Sequence, residues 1–394
     1  MANRSTLGIV FLTVFLDLVG FGILIPIQPF FAERLGASPS VVTLLGASYS
    51  LMQFLFTPFW GRLSDRIGRR PVMLASTFIS SLGYLGFALS DELWMLFACR
   101  MFSGFGAANI AAAQAIIADC TPPEGRAKGM GLVGAAFGLG FIFGPALGGL
   151  LVPQGLSAPS FAAAALCGLN FVLALVWLPE TRRRNTTAVS VSWSGLVGAA
   201  RRPGVGGLLA LFLTYTVGFS LMEQVLGLFI EHHWFPAGPG ESAARLTAHV
   251  LILVGVTATI VQGGLIGRFV AAFGERALVV AGGIVIAGSF LGLVVAGRAG
   301  SQMALFVVAC GMALGTGLVN PSLAGLLSRS VGGDDQGGTL GLGQSLGALG
   351  RALGPSFAGL LFERNPALPL LVGAAILVAC SGMAVRLPTP VRAT

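Results

Sequence analysis

The sequence predicts an all-α integral membrane protein with twelve transmembrane helices in two pseudo-symmetric six-helix halves. Three observations predict it. Of 394 residues, 55% are hydrophobic and only 10% are charged. Soluble proteins are roughly 25% charged, so this chain has too little charge to cover a water-facing surface. Apolar runs of about 20 residues, the length of a spanning helix, recur along the whole chain. Finally, the chain repeats itself. At an offset of 206, "GRLSDRIGRR" lies over "GRFVAAFGER", and at an offset of 210, "GLGFIFGPALGGLL" lies over "GALGRALGPSFAGL". Parallel repeated halves are an architecture of secondary transporters.

The predicted spans are 7–31, 41–60, 71–90, 93–118, 129–152, 160–178, 207–230, 246–266, 277–297, 303–328, 339–362 and 369–386. The longest connection, 179–206, is a linker. It divides an N-terminal half (1–178) from a C-terminal half (207–394). Lys and Arg fix the orientation. One set of alternate loops, with both termini, carries 17 of them and the other set carries 4. The positive-inside bias then puts both termini in the cytoplasm of a multi-pass protein of the cell inner membrane. The 58 glycines let helices approach where no hydrophobic force drives them together.

The same placement argues against a nucleic-acid partner despite a net charge of +8. The basic residues sit at the ends of apolar runs. Five scattered cysteines form no CxxC and predict no disulfide or metal framework. The first apolar run is too long for a signal peptide and contains Asp17. No HExxH, GxSxG or nucleotide loop indicates an enzyme. GxG patterns such as "GFGAAN" lie inside helical runs with no preceding strand. His232 and His233 sit beside Trp234 at a helix end, an interfacial position.

One stretch, "GRLSDRIGRRP", concentrates five charges between two apolar runs. It resembles the loop 2–3 signature of the major facilitator superfamily. "RMFSGFGAA" resembles the helix-4 signature of that superfamily's proton-coupled members. "GLGFIFGPALGG" resembles the helix-5 signature of its drug/proton antiporters. "LDLVGFGILIPIQP" looks like helix 1 of the twelve-helix drug-efflux branch. Within that branch the likeness is nearest to tetracycline efflux pumps, through "IADCTPPEGRAKGMGLVGAAFGLGFIFGPALGG" and "DDQGGTLGLGQSLGALGRALGP". Those pumps carry an intramembrane Asp where this chain has Gly83, a His where it has Ala258, and an Asp on helix 9 where "GGIVIAGSF" has none. Asp17 is kept.

Four ionisable residues lie deep in the apolar runs: Asp17, Arg100, Glu223 and Arg351. An intramembrane charge is costly and points to function. Asp17 is ten residues into helix 1, about 15 Å deep in a core of about 30 Å. Burial raises a carboxyl's pKa and a nearby Arg lowers it, so such an acid can load and release a proton. The resemblance gives Arg100 a part in the proton step. Glu223 is expected to pair with Arg351, with Asp17 as the rival partner of Arg351. Expected cavity residues are Thr13, Phe21 and Gln28 on helix 1, Phe212, Tyr215 and Phe219 on helix 7, and Met312, Thr316 and Asn320 on helix 10. Pro321 is expected to bend helix 10.

The basic stretch reads as a cytoplasmic gate as well as a topology anchor. Its members are Gly61, Asp65, Arg66, Gly68, Arg69 and Arg70. Asp65 is expected to bond either to the other half or near Asp119. Gly140, Gly144, Pro145, Gly148 and Gly149 are expected to seal the interface between the halves. The resulting expectation is a monomeric, cofactor-free antiporter of drugs or tetracycline-like compounds, driven by the proton gradient. Its partners are a small organic substrate, protons and membrane lipid. The alternative is a proton-coupled or facilitative metabolite carrier on the same fold, since fold alone does not set function.

Overall fold

Runs of Leu, Val, Phe, Ala and Gly with almost no charge leave the backbone one solution. In hydrocarbon every N–H and C=O must be satisfied inside the protein, and a helix does so within its own segment. The computed structural model describes residues 4–107, 110–121, 126–181, 198, 204–236, 240–331 and 336–387. Among them the regular elements are all helical. Most of the predicted linker, 182–197 and 199–203, lies outside the described residues.

The helices string into rods. They are α1 (Arg4–Leu24, resumed at Gln28–Arg34), α2 (Pro39–Ile67), α3 (Arg69–Ala88), α4 (Leu93–Gly106, resumed at Ile110–Cys120), α5 (Arg126–Leu151) and α6 (Ala158–Trp177). The second half supplies α7 (Val205–Glu223, resumed at Leu226–Trp234), α8 (Gly240–Ile260, a π turn at Val261–Leu265, then Ile266–Phe273) and α9 (Glu275–Ala299). It ends with α10 (Gln302–Arg329), α11 (Gln336–Arg364) and α12 (Leu368–Arg386). Nine helical runs among the described residues are long and apolar enough to cross a membrane. With α4, α5 and α11 the set is consistent with twelve spans. α10 runs unbroken through Pro321.

The predicted repeat is visible in how glycines are used. In the first half, side chains at Gly140 and Gly144 would strike Leu18, Val19 and Gly22 of α1, with Gly22 Cα 2.6 Å from a Cβ on Gly144. In the second half, Gly350 and Gly354 meet Thr216 and Ser220 of α7 in the same way, and Ser220 donates to the Gly350 carbonyl at 3.1 Å. A matching glycine farther along each copy, Gly149 and Gly359, faces the other half. Gly149 lies against Ala248 of α8, and Gly359 lies against Ser40 and Thr43 of α2.

This corrects the expectation for the helix-5 stretch. Gly140, Gly144 and Gly148 join α5 to α1 within one half, and Gly149 makes the contact across the seam. Helical periodicity is the reason: residues four apart share a face, and the adjacent residue points about a quarter-turn away. The two positions should therefore respond differently. Gly144→Val is expected to cost about 1–3 kcal/mol through overpacking and to lower the yield of folded protein on size exclusion. Gly149→Val is expected to fold but to transport poorly, because the halves cannot close there. Equal yields and equal transport for both would refute the assignment.

The far face of the bundle, away from the termini, is closed. Ile23, Ile27 and Phe30 share one buried cluster with Leu226, Phe229 and Ile230 of the other half. Glu363 of α11 accepts a hydrogen bond from the Ser40 backbone N–H at 3.0 Å. Nearer the termini the buried clusters are separate: one around Trp60 and Ile116 is built from the first half, with Leu340 of α11 packed against it, and one around Leu278 and Leu318 is built from the second half.

Candidate functional site

Two of the helix breaks organise the centre of the bundle. Where α4 stops, its last carbonyls lose their intrahelical donors. Side chains from neighbouring rods replace them. Trp60 Nε1 donates to the Phe105 carbonyl at 2.7 Å, Ser76 to Gly106 at 2.5 Å and Gln53 Nε2 to Ala107 at 3.1 Å. The second break, after Glu223 in α7, brings the Gln224 amide against Gly46 of α2.

Arg100 is 3% exposed. Its guanidinium carbon lies 4.8 Å from the centre of the Tyr49 ring, 5.9 Å from Phe21 and 6.0 Å from Phe87. Among the described residues its Nε and Nη1 have no hydrogen-bond partner. Ring faces attract a cation, most strongly where water is excluded. Tyr49 also hydrogen-bonds Tyr84, and both rings lie within electrostatic reach of Asp17 and Arg100. The acid and the guanidinium thus flank one buried aromatic cluster. At Gly83, where the resembling pumps carry an Asp, a Cβ would meet the Ser103 hydroxyl of α4. That site has no room for an acidic side chain.

Glu223 and Arg351 lie within electrostatic reach of each other without forming a salt bridge. Arg351 instead reaches across the halves to Gln53 Oε1 at 3.4 Å. The same Gln53 caps the α4 break, so one amide ties that break to an arginine of the other half. Around them a cavity is lined by Gln53, Thr57, Gln114, Gln344, Ser345 and Arg351, among others.

The other predicted cavity residues have varied placements. Phe21 joins the cluster, 4.9 Å from Tyr49. Thr13 is buried, donates to the Ile9 carbonyl, and has its own carbonyl taken by Asn170. Gln28 is buried near the far face. Phe212 packs on Gly343 and Gly347 of α11, and Phe219 lies 6.5 Å from Phe290 of α9. Tyr215 stacks with Phe219 at 6.2 Å. That aromatic stripe is spent on packing within its own half. Met312 is in the same core, Thr316 donates to the Ala313 carbonyl at 3.1 Å, and Asn320 is exposed.

The charged loop is a connected network. Gly68 turns the chain at φ 112°, a conformation open to glycine. Glu180, past the end of α6, accepts from the Arg69 and Arg70 backbone N–H groups at 3.0 and 3.2 Å. A carboxylate is stabilised there by the positive end of α3. The Arg69 guanidinium pairs with Asp65 at 2.5 Å and Asp119 at 3.3 Å, and it donates to Ser64 at 2.6 Å. Among the described residues Asp65 forms no ion pair with the other half. Gly68 turns the chain between the end of α2 and the start of α3, and this brings Arg69 back against Asp65. Arg70 donates to the Leu175 carbonyl at 2.7 Å, Arg66 is exposed, and Gly61 is buried.

The sequence reading missed Tyr49, Gln53, Trp60 and Glu180. The first three have a signal: with Thr57 they form a polar stripe at helical spacing inside an apolar run. Glu180 has none, because its partners are more than a hundred residues away.

Comparison with known proteins decides the family. Residues 10–355 match the Major Facilitator Superfamily profile. The chain belongs to the major facilitator superfamily. This superfamily member is 33% identical over 389 residues to the tetracycline resistance protein, class C, of Escherichia coli, covering 96% of each chain. It is 29% identical over 389 residues to multidrug resistance protein 2 of Bacillus subtilis (strain 168), covering 97% of this chain and 95% of that one. The human organic anion transporter MFSD10 shares its fold, with TM-score 0.75 at 24% identity over 97% of this chain and 99% of that one. The chain is thus a multi-pass membrane transporter.

Proposed function

We propose that this transporter exports small amphipathic organic compounds in exchange for protons, by alternating access. The observation that carries the reading is a half-buried acid, Asp17, and a buried cation, Arg100, that both lie within electrostatic reach of Tyr49. A carboxyl held out of water near a cation is poised to gain and lose a proton as its surroundings change. The names of its relatives, tetracycline and multidrug resistance proteins, favour a drug-like cargo. On the orientation given by the charge bias, the far face is external, and this conformation is closed to the outside. The amide-lined cavity beside Arg351 favours, as a second reading, a more polar metabolite on the same fold.

The test uses inside-out membrane vesicles and a panel of cationic dyes, tetracycline and organic acids. Uptake of a dye or tetracycline is expected only with an acidic lumen, and collapse of the pH gradient should stop it. Gradient-independent uptake of an organic acid alone would favour the metabolite carrier.

A further inference from the structure

We infer that the cavity between α2, α4 and α11 is an oxyanion subsite, in which Arg351, Gln114 and Gln344 receive the carboxylate or enolate head of an amphipathic cargo. The inference rests on the transport reading above and narrows its cargo to one chemical class.

Both halves build the cavity. Gln53 and Thr57 come from α2, Gln114 from the resumed part of α4, and Gln344, Ser345 and Arg351 from α11. No acid is among its lining residues. Arg351 has five N–H donors. Its one hydrogen bond among the described residues runs from Nη2 to Gln53 Oε1 at 3.4 Å, which is long for such a bond. It forms no salt bridge there either. Glu223, the acid within its electrostatic reach, does not line the cavity.

Two amides beside it are idle. Gln114 is 8% exposed, yet among the described residues its side chain makes no hydrogen bond, and neither does that of half-buried Gln344. Buried polar groups ordinarily have partners. The other polar groups of the lining are spent. Thr57 donates to the Gln53 carbonyl at 2.6 Å, Ser345 to the Gly341 carbonyl at 3.1 Å, and the Gln53 amide to the Ala107 carbonyl at 3.1 Å. A guanidinium and two rotatable amides therefore remain for a ligand. A planar oxyanion accepts two N–H groups from the guanidinium fork, and each amide can turn its NH2 towards a second oxygen. Gln114 and Arg351 lie on opposite sides of the seam, so one oxyanion bridges the halves.

A cation fits poorly. It would meet the charge of Arg351. The backbone carbonyls that a broken helix could offer it are taken, since Phe105, Gly106 and Ala107 accept from Trp60, Ser76 and Gln53. The cavity is small, so it takes a head group and not a whole cargo.

Calorimetric binding to the full chain in nanodiscs, with empty nanodiscs as the blank, tests this at neutral pH. The probes are 2-naphthoate, 2-naphthamide and 2-naphthylmethylammonium, which differ only in the head group. The carboxylate is expected to bind about tenfold or more tighter than the other two, the factor carried by one charge-assisted hydrogen bond. Arg351→Gln should bring it to the level of the amide. Arg351→Lys keeps the charge without the fork and should fall between. Gln114→Leu and Gln344→Leu should each weaken the carboxylate about threefold or more. Equal binding of the three probes, or a preference for the ammonium, overturns the proposal. So does an undiminished preference in a folded Arg351→Gln protein. If that variant does not fold, unchanged carboxylate affinity in both Leu variants overturns it. Binding is read without a pH gradient, so a carboxylate that binds and is not pumped counts against proton exchange and leaves the subsite standing.

Discussion

Asp17→Asn is expected to reduce pH-gradient-driven efflux to the background of empty vesicles while leaving substrate binding largely unchanged. Asn preserves the volume and hydrogen-bonding shape of the side chain, so the aromatic cluster around Tyr49 and Arg100 should persist. It removes the one carboxyl of that cluster among the described residues. Arg100 offers a second variant with a different signature. Arg100→Lys keeps the charge but loses the planar cation that faces Tyr49 at 4.8 Å, an interaction worth about 2 kcal/mol when desolvated. It should slow transport and lower the melting temperature together, whereas Asp17→Asn should spare stability. Paired assays of binding, efflux and thermal stability distinguish them. Wild-type pumping by Asp17→Asn would remove this acid from the proton step.

The second large effect is expected at Arg69, whose side chain is 5% exposed between Asp65 and Asp119. Arg69→Ala leaves two carboxylates without their shared cation. Removing one partner from a buried network costs about 3–5 kcal/mol, and Asp65, at 25% exposure, keeps enough solvent to place this case at the low end. Loss of transport and a clear drop in melting temperature should follow. Arg69→Lys retains charge but not the fork that serves Asp65, Asp119 and Ser64 at once, so partial recovery is expected. Asp65→Asn should slow transport without inverting the protein, because acidic residues contribute little to topology. An Arg69→Ala protein with normal stability and transport would reduce the loop to a topology anchor.

The residues differ in how much of their role can be read from the chain alone. Apolar runs and glycine spacing reveal the spans and the repeat, because a membrane demands helices and close packing demands small residues at fixed intervals. Asp17 and Arg100 are conspicuous for the same reason: a charge inside such a run violates the local pattern. Asp65 and Arg69 stand out in the same way, as charges crowded into a short stretch between two apolar runs. Those features depend on the residue and its neighbours within about a turn, so sequence by itself determined the class of fold, the two halves and the set of unusual charges. What each charge touches was decided only by the tertiary structure. Arg351 reaches Gln53 in the other half, and Glu180 caps a helix 111 residues before it. Gly144 faces its own half and Gly149 the opposite one, though both belong to a single run. The physical reason is that burial energy fixes which residues leave lipid and water, whereas partner choice depends on rod rotation and helix breaks. Those are set by the summed packing of residues far apart in the chain.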